Sequence, residues 1–387
     1  MFIEYAVRQL NKKGEELCGD NIEITKSPSS KIFVLSDGLG SGVKASILST
    51  LTKKIAATML MHGMPIEEVV ETIISTLPVC KVRNIAYSTF SILQIFDDFE
   101  AKLVEFDTPD TLLFHNNEFV DYSYENLKIS DKKIKISRFK LFDGDFLVIL
   151  SDGIMHAGLG TLLPLGWKKE HIADFVTRNL NEETDSRILA DKLIETAQNL
   201  YNGEIGDDAT VLIIKTRKKN SLVVAIGPPV DKAKDNELVN TVLKFDGKKI
   251  ICGGTTANIF AKCMNHEIKV DIEKNEENIP PKATIKGINL VTEGVITLAK
   301  TKEILEQDII KSDNPALLTY KEPKNPSQEL VNAFYKADSI KFLVGTAVNS
   351  IYTGYDFPLE SKLKIKLVLD IAEKLTKLCK EVEIEYF

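Results

Sequence analysis

Two segments of this chain combine a continuous apolar run with the same polar ending, and together they predict two buried strands. Residues 32–38 have the sequence IFVLSDG and residues 146–153 have the sequence FLVILSDG. An apolar run of this length that ends at turn residues is typical of a buried strand. Because each run stops at Ser-Asp-Gly, the pattern places Asp37 and Asp152 at the edge of a sheet, where a carboxylate can meet solvent.

Two further acidic segments fit the same plan. A Gly-Asp pair ending at Asp20 lies just upstream of the first run, and an Asp-Asp pair at 207–208 precedes an apolar strand predicted over 211–214. Mg²⁺ and Mn²⁺ prefer carboxylates, carbonyls and waters as ligands, and a two-metal site needs one carboxylate that bridges both ions. With no cluster of Cys and His in the sequence, the pattern favours a hard-cation site that acts on phosphate. Gly38 lets the backbone turn sharply and can bring its carbonyl close to an ion.

The composition excludes several classes of protein and partner. At 387 residues the chain can form two domains, and 44% hydrophobic with 27% charged residues is typical of a globular protein. A net charge of -7 argues against nucleic acid as a partner, because phosphate backbones are bound by basic surfaces. The apolar runs are too short to cross a membrane, and the N-terminus lacks the basic and apolar regions of a signal peptide. The five cysteines include no CxxC pair, which fits a reducing compartment, so we expect a cytoplasmic protein.

We expect two domains, covering residues 1–217 and 221–387, because the polar, basic segment between them interrupts the α/β pattern. In the first domain, short strand patterns between residues 88 and 139 predict an antiparallel meander. A helix is predicted over 43–61. Its apolar residues recur at the three- and four-residue steps of one helix face and are Leu48, Leu51, Ile55 and Met59.

The second predicted domain is a smaller α/β unit of unrecognised fold. Its first apolar strand covers 222–226, and residues 252–256 have the sequence CGGTT at a predicted strand-to-helix turn. Backbone N–H groups at the start of a helix can bind an anion. A tight turn capped by a threonine explains the same residues equally well, so both interpretations stay open.

The order of the acidic motifs resembles one protein family. Gly-Asp at 19–20 is followed by Ser-Asp-Gly-x-Gly-x-Gly at 36–42, then by Ser-Asp-Gly at 151–153 and by Asp-Asp-x-Thr at 207–210. This succession resembles the metal-dependent type 2C protein phosphatases, most of all their bacterial branch typified by stage II sporulation protein E. The resemblance covers residues 1 to about 217. It implies an αββα sandwich that holds two Mn²⁺ or Mg²⁺ ions between its sheets.

The resemblance also implies roles for individual residues, with no residue assigned to an organic cofactor. The expected metal-binding and catalytic carboxylates are Asp20, Asp37, Asp152 and Asp207. Asp37 would bridge the two ions, with the Gly38 carbonyl as an additional ligand. Asp20 would bind the second ion, and the other two aspartates would bind the first. Asp208 is expected to support these ligands without touching an ion. The predicted helix over 43–61 corresponds to the region that the branch uses for switching.

Two functions at this site stay unassigned, because the chain departs from the family pattern. The phosphate-binding Arg that precedes the first acidic ligand in the family has no counterpart in residues 12–17 (KKGEEL). Lys13 is a candidate for that role. His156 is either the proton donor for the leaving group or an ordinary histidine of the surface or core. Cys18 is either a metal ligand or a small buried residue, and Lys44 either steers phosphate or is solvated.

The activity implied by the resemblance is a protein phosphatase that hydrolyses phosphoserine and phosphothreonine by direct attack of a metal-bound hydroxide. The implied substrate is a regulatory phosphoprotein, similar to an anti-sigma-factor antagonist. One alternative is a catalytically silent module that binds phosphoproteins, which the missing Arg favours. Another is a ligand-binding regulator that acts through residues 221–387. Neither nucleic acid nor a membrane is expected as a partner, and the oligomeric state stays open, a homodimer included.

Overall fold

The computed structural model of the protein describes residues 1–76, 79–80, 85–86, 88–129, 132–181, 184–271, 279–311, 323–347, 357–378 and 380–387. The chain divides into two units, one covering residues 1–218 and the other residues 219–387. Each unit has its own sheets and its own hydrophobic clusters.

Among its described residues, the N-terminal unit contains two large antiparallel sheets and a small two-stranded one formed by residues 79–80 and 85–86. The five-stranded sheet has the order β1-β13-β12-β8-β9 and the six-stranded sheet the order β10-β11-β7-β6-β3-β2. The strands are β1 (Phe2–Leu10), β2 (Asp20–Ser27), β3 (Ser30–Gly38), β4 (Val79–Cys80), β5 (Ile85–Ala86), β6 (Ser88–Phe96), β7 (Glu100–Phe106), β8 (Leu112–His115), β9 (Glu118–Val120), β10 (Glu125–Ile129), β11 (Lys132–Lys140), β12 (Phe146–Leu150) and β13 (Ala209–Arg217). The helices are α1 (Gly42–Met61), α2 (Ile66–Thr76), α3 (Asp152–Met155), α4 (Lys169–Asn179) and α5 (Ser186–Leu200).

The two sheets pack face to face and carry helices on their outer faces. Strand β3 shows how, because its side chains alternate between the two faces with a period of two residues. Phe33 and Leu35 join the cluster between the sheets, while Ile32 and Val34 pack with α1 and α2 on the outside. On the other sheet, α4 and α5 cover the outer face of β12 and β13. The predicted αββα sandwich, followed by a second α/β unit, is confirmed.

The orientation of α1 differs in part from the predicted apolar face. Leu48 is buried as expected, but Leu51 is 42% exposed. The buried face instead includes the small residues Ala45, Ser49 and Ala56. Small side chains let the helix lie close to β2 and β3, so the approach of the helix to the sheet decides which face is buried.

The C-terminal unit contains a seven-stranded sheet of order β16-β17-β18-β15-β14-β19-β20. Its strands are β14 (Ser221–Ile226), β15 (Lys248–Cys252), β16 (Lys269–Val270), β17 (Ala283–Thr284), β18 (Leu290–Thr292), β19 (Ser339–Val344) and β20 (Glu381–Tyr386). The helices are α6 (Asp235–Lys244), α7 (Gly254–Met264), α8 (Val295–Lys311), α9 (Pro326–Lys336) and α10 (Phe357–Lys377). The five strands β18-β15-β14-β19-β20 are parallel, whereas β16 and β17 extend the sheet as antiparallel strands.

Helices cover both faces of this parallel sheet. Leu222 and Val224 of β14 pack with α8, α9 and α10, whereas Val223 and Ala225 pack with α6 and α7. A strand buried on both faces is apolar throughout, which explains the continuous run that the sequence shows here. Among the described residues, no helix combines the length and apolarity that crossing a bilayer requires.

Candidate metal centre

The first part of the site is built from two paired strand ends. Asp20 is the first residue of β2, and Asp37 is the last residue but one of β3. In the antiparallel ladder these two residues lie directly opposite each other. Directly opposed residues place their side chains on the same face, roughly 5 Å apart at Cβ. The hairpin formed by β2 and β3 therefore brings the two carboxylates together.

The second part of the site comes from the other sheet. Asp152 is the first residue of α3, directly after β12, and Asp207 lies two positions before β13. Since β12 and β13 are antiparallel neighbours, the end of one and the start of the other share an edge. The carboxylates of Asp152 and Asp207 and a ring nitrogen of His156 offer ligand atoms that all lie within 4.8 Å of one another.

Thr210 joins the two parts. Its hydroxyl donates a hydrogen bond of 2.7 Å to Oδ2 of Asp20, and its backbone N–H donates one of 2.8 Å to the Ser151 hydroxyl. Asp20 belongs to one sheet and Thr210 to the other, so the bond between them holds the two parts of the site together, while the bond to Ser151 joins the ends of β12 and β13. The four predicted carboxylates thus converge on one edge of the sandwich.

The crowding of negative charge perturbs these carboxyl groups. Burial, followed by the neighbouring carboxylates of Asp20, Asp152, Asp207 and Asp208 in that order, raises the pKa of Asp37 to about 9. Burial likewise raises the pKa of Asp20 to about 7, although hydrogen bonds from Ser151 and Thr210 act in the opposite direction. The pKa of Asp207 is raised by burial and then by Asp152. Such a cluster favours either bound protons or a bound cation.

The donor set fits a divalent cation. Asp20 is 2% exposed, and among the described residues its Oδ1 atom has no hydrogen-bond partner. A buried carboxylate oxygen without a partner is costly unless something positive binds it. Carboxylates from four chain segments are also the ligand type that Mg²⁺ and Mn²⁺ prefer. The residues therefore fit the predicted ions, while the role of each aspartate as a ligand remains a prediction.

Asp208 has a different position from the other acidic residues. Its Oδ1 accepts a hydrogen bond from the Lys12 N–H, and its Oδ2 accepts one from the Gly19 N–H, both at 2.8 Å. The carboxylate thereby fixes the backbone directly before Asp20. This is how a residue outside the ligand set can support a metal ligand.

The comparisons with known proteins concern the N-terminal unit. Residues 27–217 match the family model of stage II sporulation protein E (SpoIIE). That range contains Asp37, Asp152 and the Asp-Asp pair at 207–208.

Residues 27–217 belong to the SpoIIE family.

Two curated relatives match a region of similar extent. Stage II sporulation protein E of Bacillus subtilis is 26% identical over 210 residues, which are 53% of this chain and 24% of the relative. The protein of the same name from Priestia megaterium is 21% identical over 218 residues, 55% of this chain and 36% of the relative. This chain thus corresponds to about a quarter to a third of their length. A solved structure of the PP2C phosphatase domain and a regulatory fragment of Bacillus subtilis SpoIIE is 22% identical, with a TM-score of 0.47, over 55% of this chain and 63% of that one.

Close backbone packing explains both glycines of the Ser-Asp-Gly motifs in the SpoIIE-family unit. A Cβ on Gly38 would lie 2.0 Å from the carbonyl oxygen of Ala45 on α1. A Cβ on Gly153 would lie 2.0 Å from the carbonyl oxygen of Asp208. Both distances are far inside van der Waals contact, so any side chain here would push apart the segments that carry the aspartates.

The remaining candidates of the N-terminal unit have different surroundings. Lys13 forms an exposed ion pair of 2.6 Å with Glu204. Burial and then the carboxylates of Asp20 and Asp208 raise the pKa of Cys18 to about 12. Lys44 is exposed on the first turn of α1.

His156 and Thr210 lie closer to the cluster than the sequence alone indicated. Nδ1 of His156 is 3.9 Å from Oδ2 of Asp207, and the side chain is 47% exposed. An imidazole in this position can bind a metal or transfer a proton. Thr210 belongs to the Asp-Asp-x-Thr motif, but the sequence offered no reason for its hydroxyl. The contact with Asp20 supplies that reason.

Proposed function

We propose that the N-terminal unit is a metal-dependent protein phosphatase that hydrolyses phosphoserine and phosphothreonine. The observation that carries this proposal is the convergence of four carboxylates from two sheets, where burial and then the neighbouring carboxylates raise the pKa of Asp37 to about 9. Membership of residues 27–217 in a phosphatase family supports it. The proposed substrate is a cytoplasmic regulatory phosphoprotein, similar to an anti-sigma-factor antagonist, and this part rests on the family alone.

The chain's own residues would hold and orient the site. Asp20, Asp37, Asp152 and Asp207 would hold two Mn²⁺ or Mg²⁺ ions, with the Gly38 carbonyl as an additional ligand. When bound, such ions activate a water as nucleophile and neutralise charge on the phosphoryl oxygens. The preformed hydrogen bonds from Thr210 to Asp20 and from Gly19 to Asp208 keep the carboxylates in place, so little reorganisation is needed when the ions bind.

His156 is the proposed donor of a proton to the leaving oxygen. It is half exposed, which gives a substrate access to its ring, and it lies beside Asp207. A serine or threonine alkoxide needs a proton to depart, whereas a nitrophenolate does not. His156→Asn should therefore slow hydrolysis of a phosphothreonine peptide at least tenfold more than hydrolysis of p-nitrophenyl phosphate. Equal losses with both substrates would instead indicate a metal ligand.

The decisive experiment measures hydrolysis of p-nitrophenyl phosphate by the whole chain with Mn²⁺, with a chelator, and in the variant Asp37→Asn. Asp174→Asn is a matched control, because Asp174 is exposed on α4 and the substitution makes the same chemical change away from the acidic cluster. We expect turnover that needs the metal, disappears in Asp37→Asn and persists in the control. Loss of turnover in the control as well would indicate a general effect of the substitution.

One observation favours a catalytically silent phosphoprotein-binding module as second candidate. The family's phosphate-binding Arg is missing, and Lys13, the candidate to replace it, is paired with Glu204. No turnover under conditions where Mn²⁺ binds and stabilises the protein would support this alternative and contradict the phosphatase proposal.

A further inference from the structure

The parallel sheet of the C-terminal unit has a cleft at the carboxyl ends of its strands. In the order β18-β15-β14-β19-β20, the strands β15 and β18 that follow β14 in sequence lie on one side of it, and the later strands β19 and β20 lie on the other side. Ligands of open α/β sheets bind outside the carboxyl ends of the strands at such a reversal. An open cleft of about 660 Å³, its mouth included, lies at this place between the segments that follow β14, β15, β18 and β19.

The start of α7 forms one wall of this cleft. Gly253, Gly254 and Thr255 line it, and Gly253, the residue at the N-cap, has no side chain that could cap the helix. The first N–H groups of a helix lack partners within the helix and carry its positive dipole end, so they attract anions. Gly253 has φ of 121° and no side chain, which leaves the space in front of these groups open.

A buried hydroxyl beside this helix start points to a ligand independently. Thr256 is fully buried, lines the cleft, and among the described residues its Oγ1 has no hydrogen-bond partner. That oxygen is the atom closest to where a Gly253 side chain would be, at 3.2 Å from the Cβ position. Leaving a buried hydroxyl without a partner is unfavourable. A ligand oxygen in the space in front of Gly253 would satisfy it.

A lysine supplies positive charge on the other side of the cleft. Lys364 of α10 lines it, and its ammonium donates a hydrogen bond of 2.7 Å to the Gly345 carbonyl. The same nitrogen lies 2.3 Å from the position that a Cβ on Gly227 would occupy. The absence of a side chain at Gly227 therefore leaves room for the Lys364 ammonium at the end of β14. This strand is the neighbour of β15, which leads into α7.

Glu293 limits what the rest of the ligand can be. It lines the cleft after β18, and its Oε2 accepts a hydrogen bond of 3.0 Å from the Ile296 N–H at the start of α8. That helix start therefore already has a carboxylate as a hydrogen-bond acceptor. A second anionic group near Glu293 would be repelled, but a hydroxyl or amino group could donate to it.

We propose that this cleft binds a small phosphate monoester, with the phosphate at the start of α7 and a hydroxyl or amino group near Glu293. Backbone N–H groups, the Thr256 hydroxyl and the Lys364 ammonium together offer more donors than the two oxygens of a carboxylate can use, and they suit the three terminal oxygens of a phosphate. The proposal does not depend on the activity of the N-terminal unit.

The test measures binding of inorganic phosphate, ribose 5-phosphate, AMP and adenosine to the whole chain by calorimetry. A chelator is present throughout, so that phosphate cannot bind through metal in the N-terminal unit. The key variant is Thr256→Val, which removes only the hydroxyl. Thr297→Val is the matched control, because Thr297 is the third residue of α8 as Thr256 is of α7, is fully buried, and likewise has no hydrogen-bond partner for its hydroxyl among the described residues.

We expect saturable binding of at least one phosphate compound, weaker by about tenfold in Thr256→Val and unchanged in Thr297→Val. Thr256→Ser should restore affinity, since it keeps the hydroxyl, and Lys364→Gln should weaken binding even if Thr256→Val folds poorly. Absence of saturable binding for every phosphate compound at millimolar concentration overturns the proposal. Equal weakening in the two valine variants, or binding of adenosine as tight as that of AMP, does so too.

Discussion

Replacing Asp37 by asparagine should stabilise the metal-free N-terminal unit, although it removes an expected metal ligand. Burial and the neighbouring carboxylates raise the pKa of Asp37 to about 9 in the folded protein. An aspartate in the unfolded chain has a pKa of about 3.9. Between these two values the folded state holds a proton that the unfolded state has lost. Stability is therefore full below the unfolded pKa and decreases as the pH rises toward the folded pKa.

The size of this effect follows from the pH. At about pH 7.5 the interval above the unfolded pKa is about 3.6 units, which at 1.36 kcal/mol per unit gives an upper limit of about 5 kcal/mol. At about pH 5 the same calculation gives about 1.5 kcal/mol. Asparagine carries no such ionisation cost, so we expect Asp37→Asn to increase the free energy of unfolding by about 2–4 kcal/mol near pH 7.5 and by about 1 kcal/mol near pH 5.

The free energy of unfolding of the N-terminal unit can be measured by tryptophan fluorescence during urea unfolding in the presence of a chelator. The chain has one tryptophan, Trp167, which is buried in the cluster between β12, α4 and α5 of the N-terminal unit. Asp174→Asn, an exposed change on α4, is the control and should leave the midpoint unchanged. Mn²⁺ should stabilise the wild type strongly and Asp37→Asn weakly. Equal effects of Asp37→Asn at both pH values, or destabilisation at the higher pH, would refute the argument from carboxylate crowding.

Three further substitutions test packing and hydrogen bonds in the N-terminal unit, each by the same fluorescence measurement. Gly153→Ala should destabilise the unit by about 3 kcal/mol, because its Cβ would lie 2.0 Å from the Asp208 carbonyl oxygen, whereas in the control Gly206→Ala the nearest atom is at 3.4 Å and little change is expected. Asp208→Asn should cost about 2–3 kcal/mol and weaken stabilisation by Mn²⁺, since one of two backbone N–H groups loses its acceptor; an unchanged midpoint would contradict this. Burial acts to raise the pKa of Glu4, but the hydrogen bond and charge of Arg217 outweigh it and hold that pKa below its ordinary value. Stability is therefore lost as the pH falls through the lowered pKa, and Glu4→Gln should make this loss smaller below about pH 5.

Several features of the fold and site could be predicted from local sequence. Apolar runs that end in Ser-Asp-Gly specify buried strands followed by turns, since both depend on neighbouring residues only. That local pattern placed Asp37 and Asp152 at strand ends, where the structure has them. The order of the four acidic motifs was sufficient to indicate the family, because each motif is a short contiguous segment.

Contacts between distant segments could not be predicted in this way. Asp208 holds the Gly19 backbone across 189 positions of sequence, and Thr210 holds Asp20 across 190. Neither contact leaves a periodic or compositional trace, so the hydroxyl of Thr210 had no expected role. In α1 the periodicity predicted an apolar face that includes Leu51, but contact with the sheet selected a face of small residues.

By itself, the sequence determined the two-unit α/β organisation, the strand-end aspartates and the relationship to the SpoIIE family. Only the tertiary structure brought together the groups that bear on the two interpretations of residues 252–256. Gly253 at the start of α7 has no side chain to cap the helix, the Thr256 hydroxyl is buried without a partner among the described residues, and Lys364 lines the same cleft. The physical reason is that local patterns set secondary structure, whereas the strand order of the sheet sets which helix starts and side chains meet at its edge.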